Sequence, residues 1–121
     1  MDVHAFFRAV LEQNETSLRS YFHPGALIRW HCSNECFTAG EYILANCVYP
    51  GSWDGEIERL EQTGGLIIMA ARVFPADKSA SFHVVSFIRV QDDKIIEMDE
   101  YWADDAPPPA WRAKLNIGKP I

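Results

Sequence analysis

Two titratable side chains stand among apolar neighbours in the C-terminal half of the chain, His83 and Glu100. A carboxyl group buried among aliphatic and aromatic side chains is pushed up in pKa, which suits it to proton transfer near neutral pH. A neighbouring imidazole could orient that carboxyl or share its proton. The same two groups could equally form a buried hydrogen-bonded pair that only holds a core together, because perturbed groups occur at both kinds of site. Asp99 adjoins Glu100 and would face the opposite way, outward with Tyr101, on an extended strand. A one-residue slip of register would exchange the two carboxylates, so Asp99 is the reserve candidate.

Other reactive residues form weaker patterns. Cys32 and Cys36 have a spacing that zinc ligands use, with His23, His31 and Cys47 in the same stretch, but no second tight pair follows. Cysteine in such a setting behaves as a small apolar residue, and three closely placed cysteines read as reduced thiols without a disulfide framework. A Cys32–His83 nucleophile has no local motif behind it. Asp99, Glu100, Asp104 and Asp105 could suggest a divalent cation, but a solvated strand end explains the run as well. The chain has no glycine-rich phosphate loop and no Gly-x-Ser-x-Gly elbow. Neither a metal nor a cofactor is expected.

These residues must be carried by regular elements. Val3, Phe6, Phe7, Val10 and Leu11 make one apolar stripe of a helix over 3–13, with Asp2 as its cap. A second short helix is expected over about 15–21, stopped by Pro24-Gly25, and a strand over 26–31 with Ile28 and Trp30 on one face, joining a sheet edge. Thr38-Ala-Gly-Glu41 has the spacing of a capping box and opens a third helix. After Gly51 the period becomes strand-like over 53–63, 65–74, 80–90 and 94–102. Gly64-Gly65 and Asp92-Asp93 are the hairpin signals between them, and Pro75–Ser79 is a longer loop. Three helices followed by an antiparallel meander is an α+β pattern with the helices on one sheet face.

The hairpin turns set a provisional register. Pairing Gln91 with Lys94 places Val85 opposite Glu100, His83 opposite Trp102 and Phe87 opposite Met98. The Gly64-Gly65 turn pairs Thr63 with Leu66, which puts Leu60, Met69 and Ala71 on one face. In this register a single sheet face collects Met69, His83, Phe87, Met98, Glu100 and Trp102, the composition of a small-molecule pocket. Trp30 and Trp53 are expected as further pocket walls. Asn46, on the otherwise apolar side of the third helix, needs a partner either in the core or in a ligand.

Bulk properties narrow the partners. At 121 residues, 48% of them hydrophobic and four of them Trp, the chain forms one domain, with a Pro-rich tail from about residue 104 expected to run extended and Trp111 to anchor it. A net charge of −6 disfavours phosphate backbones and anionic lipid, so neither nucleic acid nor membrane is an expected partner. No stretch reaches transmembrane length, and Met1-Asp2-Val3-His4 does not look like a signal peptide, so a cytoplasmic location is expected.

Several stretches look familiar. The Phe6-Phe7 helix, Leu27–Ile43 (LIRWHCSNECFTAGEYI), Phe82–Trp102 (FHVVSFIRVQDDKIIEMDEYW) and the tail Trp111–Ile121 resemble the nuclear transport factor 2-like superfamily, and within it the SnoaL-like proteins. The resemblance spans nearly the whole chain. It implies a cone, with three helices packed in the concave face of a strongly curved, mostly antiparallel sheet, a pocket for a small hydrophobic molecule between them, and homodimers through the outer sheet face. It also implies a last-strand carboxylate at Glu100 with isomerase, cyclase or hydrolase chemistry, or simple binding. No complete catalytic set carries over. The middle strand holds Arg72 without the Asp that epoxide hydrolases pair with it, and the acid set of the steroid isomerases is not matched.

Overall fold

The Asp2 side chain accepts the Ala5 N–H at 3.0 Å and opens α1 (Val3–Leu11), which buries Val3, Phe6, Phe7 and Ala9. The computed structural model describes residues 1–121. Asn14 caps the short α2 (Glu15–Arg19), which buries Leu18. The chain then enters β1 (Phe22–Trp30), turns through His31–Ser33 with Asn34 left-handed, and returns as β2 (Glu35–Thr38). Thr38 and Glu41 close a complete capping box on α3 (Ala39–Val48). Four long strands follow, β3 (Trp53–Thr63), β4 (Leu66–Pro75), β5 (Phe82–Gln91) and β6 (Lys94–Asp104), and a short α4 (Ala110–Ala113).

The strands form one six-stranded sheet in the order β2-β1-β6-β5-β4-β3. The expected meander is present, but β1 is not an edge strand. It lies parallel to β6 inside the sheet, and β2, which the hydrophobic pattern does not announce, takes the edge. Pro24-Gly25 falls within β1, where the pairing with β6 shifts between Phe22 and Leu27. Bulges and Pro tolerate each other at such points because one ladder hydrogen bond is already missing.

A second irregularity overturns the expected faces of β5. Gln91 pairs with Lys94 and Val90 with Ile95 as the turn dictates, with Asp92 and Asp93 both at positive φ. The ladder then shifts by one residue, with Ile96 unpaired, so that Arg89 meets Glu97, Ile88 meets Met98, Ser86 meets Glu100 and Val84 meets Trp102. A bulge of one residue moves the following side chains of one strand to the other face relative to its partner. Val84, Ser86 and Ile88 therefore point inward with Met98 and Glu100, while His83 and Phe87 point out.

The helices cover the inner face. Phe6, Leu18, Ile28, Ile43, Ile88, Ile95 and Met98 are fully enclosed there. Phe6 packs edge-on to Tyr21 and Phe22, and Phe22 against Tyr42. The tail departs from the extended form expected of it. Ala110–Ala113 is helical behind Pro109, and Trp111 is 66% exposed and anchors nothing, its ring lying under the Arg112 guanidinium. No helix is long and apolar enough to cross a membrane.

Candidate functional site

The helices and the sheet leave a cavity of about 260 Å³ between the end of α1, α3 and the start of β3. Its walls are Val10 and Leu11 from α1, Trp30 from β1, Ala45 from α3, Trp53 from β3, Val73 from β4, Phe82 from β5 and Trp102 from β6. Gln13, Asn46, Tyr49 and Asp104 complete the lining. Tyr49 and Asp104 are its exposed members and mark the mouth.

Local sequence explains how these side chains are held. Asn46 donates from Nδ2 to the Val10 carbonyl (3.1 Å), and Gln13 donates from Nε2 to the carbonyls of Asn46 (2.8 Å) and Tyr49 (2.6 Å). This lattice ties the C-terminus of α1 to that of α3, and through Gln13 it gives a donor to the Asn46 and Tyr49 carbonyls at the end of α3. Trp53 donates its indole N–H to the Pro50 carbonyl (3.1 Å) and its ring stands against Tyr49 and Phe82. Gly55 lets α1 lie this close. A Cβ there would sit 2.6 Å from the Arg72 carbonyl oxygen and 3.1 Å from the Phe7 ring.

Glu100 lies behind the wall and does not line the cavity. It is 4% exposed, accepts the Trp30 indole N–H at 3.0 Å through Oε1, and accepts the Ser86 hydroxyl through Oε2. Burial pushes its carboxyl above the usual range, and the Ser86 and Trp30 donors pull the other way. The Trp102 indole adds a weaker pull, although its Nε1–H closes no hydrogen bond and is buried without a partner. Tyr42, also buried, is pushed well above the usual phenol range, first by burial and then by the Glu100 charge. Glu100 is thus a carboxyl held in a ring of donors, separated from the cavity by the Trp30 and Trp102 rings.

Of the residues singled out in the sequence, Trp30, Asn46, Trp53 and Trp102 line the cavity. Met69 and Met98 do not. They are 2% and 0% exposed and belong to the packed core. Phe87 is on the outer face and 37% exposed, against Tyr101. His83 is also outside, half-exposed, with Nδ1 at 2.5 Å from Asp105 and Nε2 at 3.0 Å from Glu58, so it cannot act with Glu100. The bulge at Ile96 is the reason for both displacements. Asp99 faces outward as the register required, bound by Arg29 (3.3 Å) and His31 (2.7 Å). Partial burial pulls its carboxyl up, but the hydrogen bonds from His31 and Arg29 outweigh this and hold it below the usual range. Cys32 and Cys36 are exposed, and His31 stacks on Tyr101 with ring centroids 4.5 Å apart. Sequence reasoning missed Gln13, Tyr49, Phe82 and Asp104 as lining residues, and Ser86 as the partner of Glu100. The pairing of Phe82 with Asp104 at the far end of the β5–β6 hairpin was the signal for two of them, once the bulge is counted.

No family model matches the sequence, and no curated protein is significantly similar to it. Solved structures resemble it closely in fold. A ketosteroid isomerase-like protein of Kribbella flavida superposes with a TM-score of 0.81 at 18% identity, over 98% of this chain and 87% of that one. A nuclear transport factor 2-like protein of Burkholderia xenovorans gives 0.78 at 16% identity, over 98% and 92%. A protein of SnoaL-like polyketide cyclase type from Shewanella putrefaciens gives 0.70 at 14% identity, over 83% and 85%. With its helices in the concave face of a mixed six-stranded sheet, the chain has the α+β cone fold that nuclear transport factor 2-like, ketosteroid isomerase-like and SnoaL-like proteins share.

Proposed function

We propose that this protein is a SnoaL-like domain that binds a small, mostly apolar molecule in the cavity between α1, α3 and the sheet. The observation that carries the reading is the lining itself: about 260 Å³ walled by aromatic and aliphatic side chains, with a few polar groups and a single charged one, Asp104. Ligand sites have this composition, and about 260 Å³ lies just below their usual range of roughly 300–1,000 Å³, which suits a small ligand. Glu100 serves as the anchor of the wall, fixing the Trp30 ring through its indole N–H. The test is a panel of small aromatic compounds observed by ligand-detected NMR, with Ala45→Phe as the blocked control. Binding to the wild type that is lost in the variant supports the reading, and binding that survives the filled cavity overturns it.

A second reading, proton transfer on the bound molecule by Glu100, has the raised carboxyl pKa in its favour and requires the Trp30 and Trp102 rings, which separate the carboxyl from the cavity, to turn aside. Glu100→Gln separates the two. It abolishes turnover of a bound compound in one case and only alters affinity in the other. We also propose a homodimer through the outer sheet face, where Leu66, Phe87 and Tyr101 line a shallow concavity with Arg89, Glu97 and Asp99. Sedimentation at monomer mass at micromolar concentration would overturn that.

A further inference from the structure

The cavity is one-sided in charge, with Asp104 its only charged lining residue. Its side-chain N–H donors are largely committed to the protein: both Gln13 N–H groups to carbonyls, one of the Asn46 pair to Val10, Trp53 to Pro50, and Trp30 to Glu100. The acceptors without a partner in the chain are the side-chain carbonyl oxygens of Gln13 and Asn46 and the Asp104 carboxylate, the only charged group of the lining. The uncommitted donors are the second Asn46 N–H, the Tyr49 hydroxyl and the Trp102 indole, which leans toward Glu100.

The mouth repeats this bias. Tyr49 and Trp53 stand with ring centroids 5.1 Å apart and interplanar angle 53°, Trp53 and Phe82 5.9 Å apart at 51°. Three neighbouring aromatic rings therefore border this end of the cavity, and a cation is attracted to any π-face open to it. Asp104 borders that same space. Its neighbour Asp105 is bound by Ser81 and His83, whereas the Asp104 side chain makes no hydrogen bond or ion pair within the chain. No Lys, Arg or His lines the cavity, and the chain as a whole carries −6.

We propose that the molecule bound in this cavity is a small organic cation, an alkyl- or arylalkyl-ammonium whose charged nitrogen lies at the mouth among Tyr49, Trp53, Phe82 and Asp104 and whose apolar body points toward Trp30 and Trp102. The proposal rests on the reading of the cavity as a ligand site and adds the charge of the ligand. An ammonium supplies the donors that Asp104 and the free amide oxygens lack, and aromatic faces stabilise it further. An anion would find no positive charge in the lining and would be repelled by Asp104. A neutral molecule of the same shape would fill the walls but leave the carboxylate partly desolvated and unpaired.

The experiment compares 2-phenylethylammonium with its neutral counterpart 2-phenylethanol by isothermal titration calorimetry at low salt, on the wild type and on Asp104→Asn. Asp104 is exposed, so the variant keeps the fold, which near-ultraviolet circular dichroism checks. The expected result is that the cation binds at least about tenfold more tightly than the alcohol, the size of one partly desolvated cation–π contact with an ion pair. The preference falls to within about threefold in Asp104→Asn and shrinks in salt. Equal or tighter binding of the alcohol overturns the cation proposal and leaves the ligand site standing. A cation preference that survives Asp104→Asn and high salt overturns it as well. Failure of both compounds to bind overturns the proposal together with the ligand-site reading.

Discussion

Trp30 lines the cavity with its ring and gives its indole N–H to Glu100 Oε1 at 3.0 Å, so the wall of the site is fixed by a carboxyl that lies outside it. The two residues are direct neighbours across the parallel β1–β6 pair. Trp30 also packs edge-on to Phe37 and Tyr42, which leaves its ring little freedom. Trp30→Phe keeps most of that packing and removes the donor. We expect a loss of about 1–3 kcal/mol, the range for leaving a buried acceptor short of a partner. The Glu100 carboxyl should titrate higher still, because one of the groups that stabilise its charged form is gone. Carboxyl-detected NMR titration of wild type and variant checks the second expectation, and chemical denaturation the first.

Glu100 should leave a signature in the pH dependence of stability. Its folded pKa is raised above the unfolded value by burial, so the folded state holds this proton more tightly than the unfolded chain does. Its contribution is therefore most favourable below the ordinary Glu value of about 4.3 and declines as pH rises toward the raised folded value. Glu100→Gln keeps shape and hydrogen-bonding capacity but removes the titration. The Tm of the variant relative to wild type should rise between pH 4 and pH 7.5. A constant difference across that range would mean that the carboxyl titrates normally.

Gly55 sets how closely α1 approaches β3 and β4, and so where Val10 and Leu11 stand in the cavity wall. Gly55→Ala puts a methyl group 2.6 Å from a backbone oxygen that has no freedom to retreat. We expect a loss of about 2 kcal/mol or more, the range for overpacking with a backbone shift. Gly40→Ala in α3 is the matched control, since a Cβ there meets nothing within 4 Å. It should be neutral or stabilise by up to about 1 kcal/mol through helix propensity. Denaturant midpoints of the two variants measured side by side decide the matter.

The elements that depend on local chemistry were legible in the sequence. The Asp2 cap, the Thr38–Glu41 capping box, the Gly64-Gly65 hairpin and the Asp92-Asp93 turn each carry their own signature within a few residues, and each is where that signature puts it. The inner placement of Glu100 and Trp102 followed from alternation along β6. The bulges left only a faint mark. Ile57-Glu58-Arg59-Leu60 and Ile95-Ile96-Glu97-Met98 each break strict alternation for a single step, too little within a strand-like run to fix which strand carries an extra residue. The parallel pairing of β1 with β6 was hidden for a different reason. It joins residues about seventy positions apart, and only the packing of the finished sheet selects it. The site inherits both facts: its β6 wall was foreseeable, while the β5 residue facing it had to be seen.

His83 tests the consequence of the Ile96 bulge most directly. On the outer face its Nδ1 lies 2.5 Å from Asp105, and Nε2 lies 3.0 Å from Glu58. The hydrogen bond to Asp105 raises its pKa, the slight desolvation opposes, and the charges of Asp105 and Glu58 add to the rise. A histidine whose folded pKa is raised contributes stability that is fully present below its unfolded value of about 6.5 and is lost as pH climbs through the folded value. Because the group is half-exposed, solvent screening keeps the gain below about 1 kcal/mol. His83→Gln should therefore lower the Tm slightly at pH 5.5 and leave it unchanged near pH 9, while affinity for any compound held in the cavity stays at the wild-type level. A histidine inside the cone would behave in the opposite way. Burial would lower its pKa, and its replacement would change binding at every pH. Proton NMR of the His83 ring together with a binding isotherm of the variant distinguishes the two placements in one preparation.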